Sequence, residues 1–125
     1  MSVVDTNVLV YSSATGSPHH ARARAAIAQL ASEGPVAVTR QILREYLAAT
    51  TRVQSWSRAF TLAEAVADTE EFARRFVVLE DGLLVWEKLS ALTRQFAFGG
   101  KQVRLLTFNV TDFQRFDSVI ELVMF

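Results

Sequence analysis

Apolar and polar positions along this chain follow two rhythms. Short unbroken apolar runs ("SVV" ahead of Asp5, "PVAVT", "FVVLE", "RLLTFN" and "SVIELV") are separated by longer stretches in which apolar residues return every three or four positions. The runs predict strands buried on both faces, and the longer stretches predict helices. A short helix follows the first strand through about Ser12. The "TGSPHH" turn then leads into "HARARAAIAQLASEG", where Ala23, Ile27 and Leu30 share one face and Gly34 stops the helix. "RQILREYLAATTR" sets Ile42, Leu43, Tyr46 and Leu47 on one apolar face. The polar connection "RVQSWSRAF" precedes a Thr-capped helix, "TLAEAVADTEEFARRF", and "DGLLVWEKLSALTRQF" predicts one more. No repeat, low-complexity tract or interdomain linker interrupts the pattern.

Strands alternating with helices predict an α/β single domain over residues 1–125, with a mainly parallel central sheet covered by helices on both faces. Such a length is enough to bury a core without staples. Cysteine is absent, which excludes disulfides, thiolate ligands and cysteine nucleophiles and suits a reducing cytoplasm. No apolar run approaches the roughly 18 residues of a membrane span. A soluble cytoplasmic protein without membrane attachment is the expectation. Thirteen basic residues balance thirteen acidic ones, so local placement rather than net charge decides whether nucleic acid is a partner.

In parallel sheets, active groups gather outside the C-terminal strand ends. Asp5 ends the first strand, a costly place for a charge unless hydrogen bonds or a cation compensate it. Asn109 ends "RLLTFN", with Asp112 three residues on, and Glu45 lies beside the apolar face of its helix. Three carboxylates at one mouth, with no cysteine, suit a hard cation held by oxygen, Mg²⁺ or Mn²⁺. Asn7 and Asn109 offer neutral groups to orient the acids or a water. Plainer roles stand beside these: Asp5 as a helix cap, Glu45 paired with Arg44 or Arg52, and Asp112 capping a turn. Arg40, Arg44, Lys101 and Arg104 are candidate phosphate contacts, or a solvated face. His19 and His20 are read as exposed helix-end residues, Trp56 and Trp86 as packing or interface residues, and Gly99–Gly100 as a helix stop.

In this order, "VVDTNVLVY", "ILREYLAAT", "GGKQV" and "RLLTFNVTDFQRF" resemble the PIN-domain ribonucleases, and specifically the VapC-type toxins of bacterial toxin-antitoxin modules. The resemblance spans nearly the whole chain. It implies a metal-dependent endonuclease cutting RNA, with Asp5, Glu45 and Asp112 as metal-site acids and Asn7 in support. It also implies a cognate antitoxin that blocks the site, and a homodimer. A chain that is 50% hydrophobic, with Trp56 and several Phe residues, agrees with such interfaces.

The chain departs from this pattern at one point. In the family, "GGKQV" runs into a helix that supplies a further acid, whereas here Val103 is followed directly by Arg104. One account is a real loss of the helix, leaving an impaired PIN fold that serves as a protein-binding module. The other is that residues of the encoded protein are absent from these 125. Leu105, Leu106 and Phe108 need cover on both sheet faces, which favours the second account. The helix over about Leu83 to Phe96 can complete the crossover alone, which keeps the first open. A phosphoryl-transfer enzyme with Asp5 as nucleophile is a third reading. It generally wants a second Asp where this chain has Asn7.

Overall fold

The computed structural model describes residues 2–55, 57–80, 103–107 and 120–124. The elements run β1 (Ser2–Val4), α1 (Thr6–Ser13), α2 (His20–Glu33), β2 (Val36–Thr39), α3 (Arg40–Thr50), α4 (Leu62–Arg75), β3 (Val77–Leu79), β4 (Val103–Thr107) and β5 (Ile120–Met124). The strands form one sheet in the order β3-β2-β1-β4-β5. Every neighbouring pair is parallel. This is the α/β architecture that the alternating pattern predicts, and the strands begin and end within two residues of the expected runs. The expected helix over 83–96, and with it Trp56, Trp86, Gly99, Gly100, Lys101, Asn109 and Asp112, lies outside the described residues.

Every residue of β1 and β2 is buried, as strands covered on both faces must be. At the sheet edge, β3 leaves Val77 exposed and buries Leu79. The helices supply the cover with the residues their spacing marks out. α1 buries Val8, Leu9 and Val10, α2 buries Ala23, Ile27 and Leu30, and α3 buries Ile42 and Tyr46. α1 packs against both α2 and α3, while α4 packs on α3. Tyr46, fully buried, meets the Phe72 ring edge-on at 5.1 Å, and Phe72 in turn stacks on Phe76. The Tyr46 hydroxyl donates to Asp68 Oδ2 at 2.7 Å. Burial, reinforced by the Asp68 charge, pushes this phenol well above the usual tyrosine range.

Helix starts are set by side chains that accept the first orphan N–H groups. Thr61 and Glu64 form the full reciprocal capping box of α4, and Arg74 and Arg75 stand at its opposite, carbonyl end. Arg58 grips both oxygens of Glu64 at 3.0 and 2.8 Å. That guanidinium, together with the Thr61 backbone N–H, holds the Glu64 carboxyl down at about 2.

Val103 and Arg104 are successive residues of β4, paired with Ile120 and Glu121 of β5. On its other side, Arg104 is level with Ser2 of β1. Val103 and Arg104 are therefore continuous strand, at the junction where the resemblance leads one to expect an acidic helix.

Candidate metal centre

Parallel strands bring all their C-terminal ends to one edge of the sheet. β1 lies in the middle of the order, with β2 and β3 to one side and β4 and β5 to the other. The chain therefore reverses its direction of winding between β1 and β4, and such a switch point opens a crevice at the strand ends. Asp5 stands at that point. The register of β1 with β2 pairs Val3 with Ala37, so continuing it two places brings Asp5 level with Thr39. Thr39 pairs with Leu79, so the exits of β1, β2 and β3 share one level.

Two of these exits pass into helices with no loop between. Asp5 caps α1, its Oδ1 accepting the Thr6 N–H at 2.8 Å. Thr39 caps α3, its hydroxyl accepting the Ile42 N–H at 3.0 Å. The capping role expected for Asp5 is therefore real, and it partly answers the cost of a charge at the strand end. It does not conflict with a second role, because a carboxylate has about four acceptor sites.

Glu45, in the second turn of α3, is brought to Asp5 by the packing of α1 against α3. The Thr6 hydroxyl donates to Glu45 Oε2 at 2.8 Å, across 39 residues of sequence. Gln41 Nε2 donates to the other oxygen, Oε1, at 3.0 Å. Thr6 thus touches both acids, one through its backbone and one through its side chain. Of the two arginines expected as alternative partners for Glu45, Arg44 and Arg52, the second turns elsewhere: α3 ends at Thr50 and Arg52 Nε donates to the Ala48 carbonyl. Thr6 and Gln41 stand outside the residues that the sequence marks as candidates. The Gln41–Glu45 spacing of four on a helix was a legible signal, whereas the Thr6 contact depends on how α1 and α3 pack.

The remaining candidates fall at different distances from this pair. Asn7 is half-buried in the first turn of α1, directly after the bridging Thr6. Arg40 opens α3 at the same sheet edge, and its Nε lies 3.4 Å from Glu80 Oε2 at the exit of β3. Arg44 is exposed one turn further along α3. Arg104 is level with Ser2, three positions back from the level of Asp5, or about 10 Å at the usual strand rise. Lys101 and Asp112 lie outside the described residues. The two histidines are half-buried rather than exposed. His20 Nδ1 bonds the Tyr11 carbonyl at 2.9 Å and the His19 ring lies against Tyr11, so both tie the start of α2 to α1.

Among the described residues no group of three or more His, Cys, Asp or Glu side chains gathers as a metal site. Asp5 and Glu45 are two acids of the predicted three. Their donor set fits a hard cation: carboxylate oxygens joined by a hydroxyl and an amide, in a chain without cysteine. A separate cleft between the end of α1 and α4, lined by Ser13, Ser57, Arg58, Glu64 and Asp68, includes none of the predicted site residues. Its charged groups are engaged already, Arg58 with Glu64 and Asp68 with Tyr46.

No helix among the described residues is long and apolar enough to cross a membrane. No curated protein sequence matches the chain. Among solved structures, the fold is similar to a chain in the crystal structure of VapBC2 from Rickettsia felis bound to a DNA fragment from their promoter. The TM-score is 0.60 at 15% identity, and the alignment covers 99% of this chain and 98% of that one. At that identity the likeness speaks for the fold alone. The family model of the PIN domain matches residues 2–109, a span that holds Asp5, Asn7 and Glu45 and stops before Asp112. With that match over most of its length, and with strand exits arranged around Asp5 as described, the chain belongs to the PIN-domain family.

Proposed function

We propose that this chain is a Mg²⁺- or Mn²⁺-dependent endoribonuclease, the VapC-type toxin of a toxin-antitoxin pair, and that residues 1–125 form one PIN-like domain. The observation that carries this reading is the Thr6 bridge between Asp5 and Glu45 at the switch point of the sheet. Asp5, Glu45 and Asp112 would hold the cation. When bound, the cation supplies activation of an attacking water and stabilisation of charge on the phosphate. Asn7 orients the acids or the water through its amide. Arg40, Arg44, Lys101 and Arg104 contact substrate phosphates. Arg40 comes to this role from a solvent-exposed pair with Glu80, and such pairs are worth only about 0–1 kcal/mol, so a phosphate displaces Glu80 at little cost.

The partners that go with this reading are RNA, a cognate antitoxin and a second copy of the chain, in the cytoplasm. VapBC2 as a structural neighbour supports the antitoxin, and the exposed Val53 and Leu62, 82% and 66% accessible, supply apolar surface for an interface. The second reading is a catalytically impaired PIN fold that acts as a protein-binding module. The continuous strand across Val103 and Arg104, without an acidic helix, favours it.

Cleavage of mixed RNA by the purified chain, freed of any antitoxin, separates the two. The nuclease reading predicts cleavage in Mn²⁺ and none in excess chelator. Cleavage that survives the chelator rejects metal dependence. A chain that neither cuts nor binds Mn²⁺ is the binding module.

A further inference from the structure

We propose that Thr6 and Gln41 are positioning residues of the metal centre, which clamp the two oxygens of Glu45 and so set the affinity for the cation. The inference rests on the metal-centre reading above and goes beyond it, to two side chains that would not themselves touch the metal.

Glu45 is exposed and stands on a long side chain, whose ordering costs rotamer freedom. A ligand that must be ordered at the moment of binding weakens the site by that cost. Here the ordering is done in advance. Thr6 Oγ1 holds Oε2 at 2.8 Å and Gln41 Nε2 holds Oε1 at 3.0 Å. One donor comes from α1 and the other from α3 itself, so the plane of the carboxylate is fixed from two elements rather than one. Each oxygen has about two acceptor sites, so one donor on each leaves room for a cation.

The chemistry of the donors separates this arrangement from an ordinary ion pair, and the same molecule holds the comparison. Glu64 has both oxygens taken by the Arg58 guanidinium, whose positive charge already matches its own. Glu45 is held by a hydroxyl and a carboxamide, both neutral. The first arrangement satisfies a carboxylate; the second orients one and keeps its full charge for a cation. Thr6 also donates its backbone N–H to Asp5, so a single residue sets the spacing of both acids. Partners of this kind typically change metal affinity by about 10–100-fold when removed.

The test is Mn²⁺ binding by the full chain, read by electron paramagnetic resonance of the free ion and by calorimetry, with no RNA present. The set is the parent, Asp5→Asn, Thr6→Val, Thr6→Ser and Gln41→Leu, each checked by circular dichroism. Thr6→Val and Gln41→Leu should each weaken Mn²⁺ binding about tenfold or more. Thr6→Ser, which keeps the hydroxyl, should bind close to the parent. Gln41 is exposed and Leu is a good helix former, so Gln41→Leu decides the matter should Thr6→Val fail to fold. A parent that binds Mn²⁺, with Asp5→Asn weakened but Gln41→Leu unchanged, overturns the positioning role and leaves the metal centre standing. A parent that does not bind, or an Asp5→Asn variant that binds as the parent does, overturns the metal centre and the positioning role together.

Discussion

Asp5→Asn lowers RNA cleavage in Mn²⁺ by at least about a hundredfold while the chain stays folded: that is the result expected of the proposed centre. The substitution is chosen because Asp5 has two jobs. As the cap of α1 it needs an acceptor for the Thr6 N–H, and Asn caps a helix about as well as Asp does. As a metal ligand it needs its negative charge, which Asn lacks. Stability and cleavage should therefore separate, with the thermal midpoint near that of the parent and the rate collapsed. A hundredfold is the lower range of what is lost when one preorganised electrostatic contact is removed, roughly 2.7 kcal/mol. Cleavage assays on RNA alongside thermal melts make the comparison. An Asp5→Asn chain as active as the parent would mean that Asp5 is a cap and nothing more.

The largest effect on stability is expected at Tyr46. Tyr46→Ala should cost about 3–5 kcal/mol, the range for emptying a large aromatic site. The side chain is fully buried where α3 meets α4, its ring edge-on to Phe72 and its hydroxyl on Asp68. Truncation opens a cavity, removes the aromatic contact and takes the donor from a half-buried carboxylate. Since a domain of this kind is stable by about 5–15 kcal/mol in all, the variant should be largely unfolded at moderate urea. Equilibrium denaturation of parent and variant measures the difference, and a loss under about 1 kcal/mol would remove Tyr46 from the core account. Tyr46 also follows Glu45 directly on α3. A loosened α3 would shift the acid, so Tyr46→Ala should reduce cleavage even at temperatures where the chain is folded.

What the sequence makes legible here is what short-range physics decides. Ala23, Ile27 and Leu30 recur at the helical period and are the residues that α2 buries. Thr61 and Glu64 stand three apart before an apolar stretch and form the capping box. Unbroken apolar runs mark β1 and β2 as covered on both faces, and both are fully buried. The position of Asp5 was legible as well, since a charge that closes a buried strand has to be answered by something. The structure supplies one answer in the Thr6 N–H.

Long-range packing hides the rest. That β4 inserts beside β1, so that the switch point falls at Asp5, is a matter of strand order, and apolar spacing carries no information on order. The Thr6 to Glu45 bond joins residues 39 apart and exists because α1 lies against α3. His19 and His20 read as exposed from their Ser-Pro turn, yet the carbonyl and ring of Tyr11, nine and eight residues back, draw them into the α1–α2 contact. The parallel register that sets the Arg104 backbone level with Ser2 is likewise invisible to apolar spacing.

Asp5, Glu45 and Asp112 are proposed to converge on one hard cation. A crystal of the full chain soaked in Mn²⁺ and measured for anomalous scattering tests this convergence most directly. A single strong peak is expected at the C-terminal edge of the sheet, with carboxylate oxygens of Asp5, Glu45 and Asp112 at about 2.0–2.2 Å, close to the Mg²⁺ to oxygen distance. Asp112 carried away to a separate surface, or no peak beside Asp5 and Glu45 at saturating Mn²⁺, would contradict it.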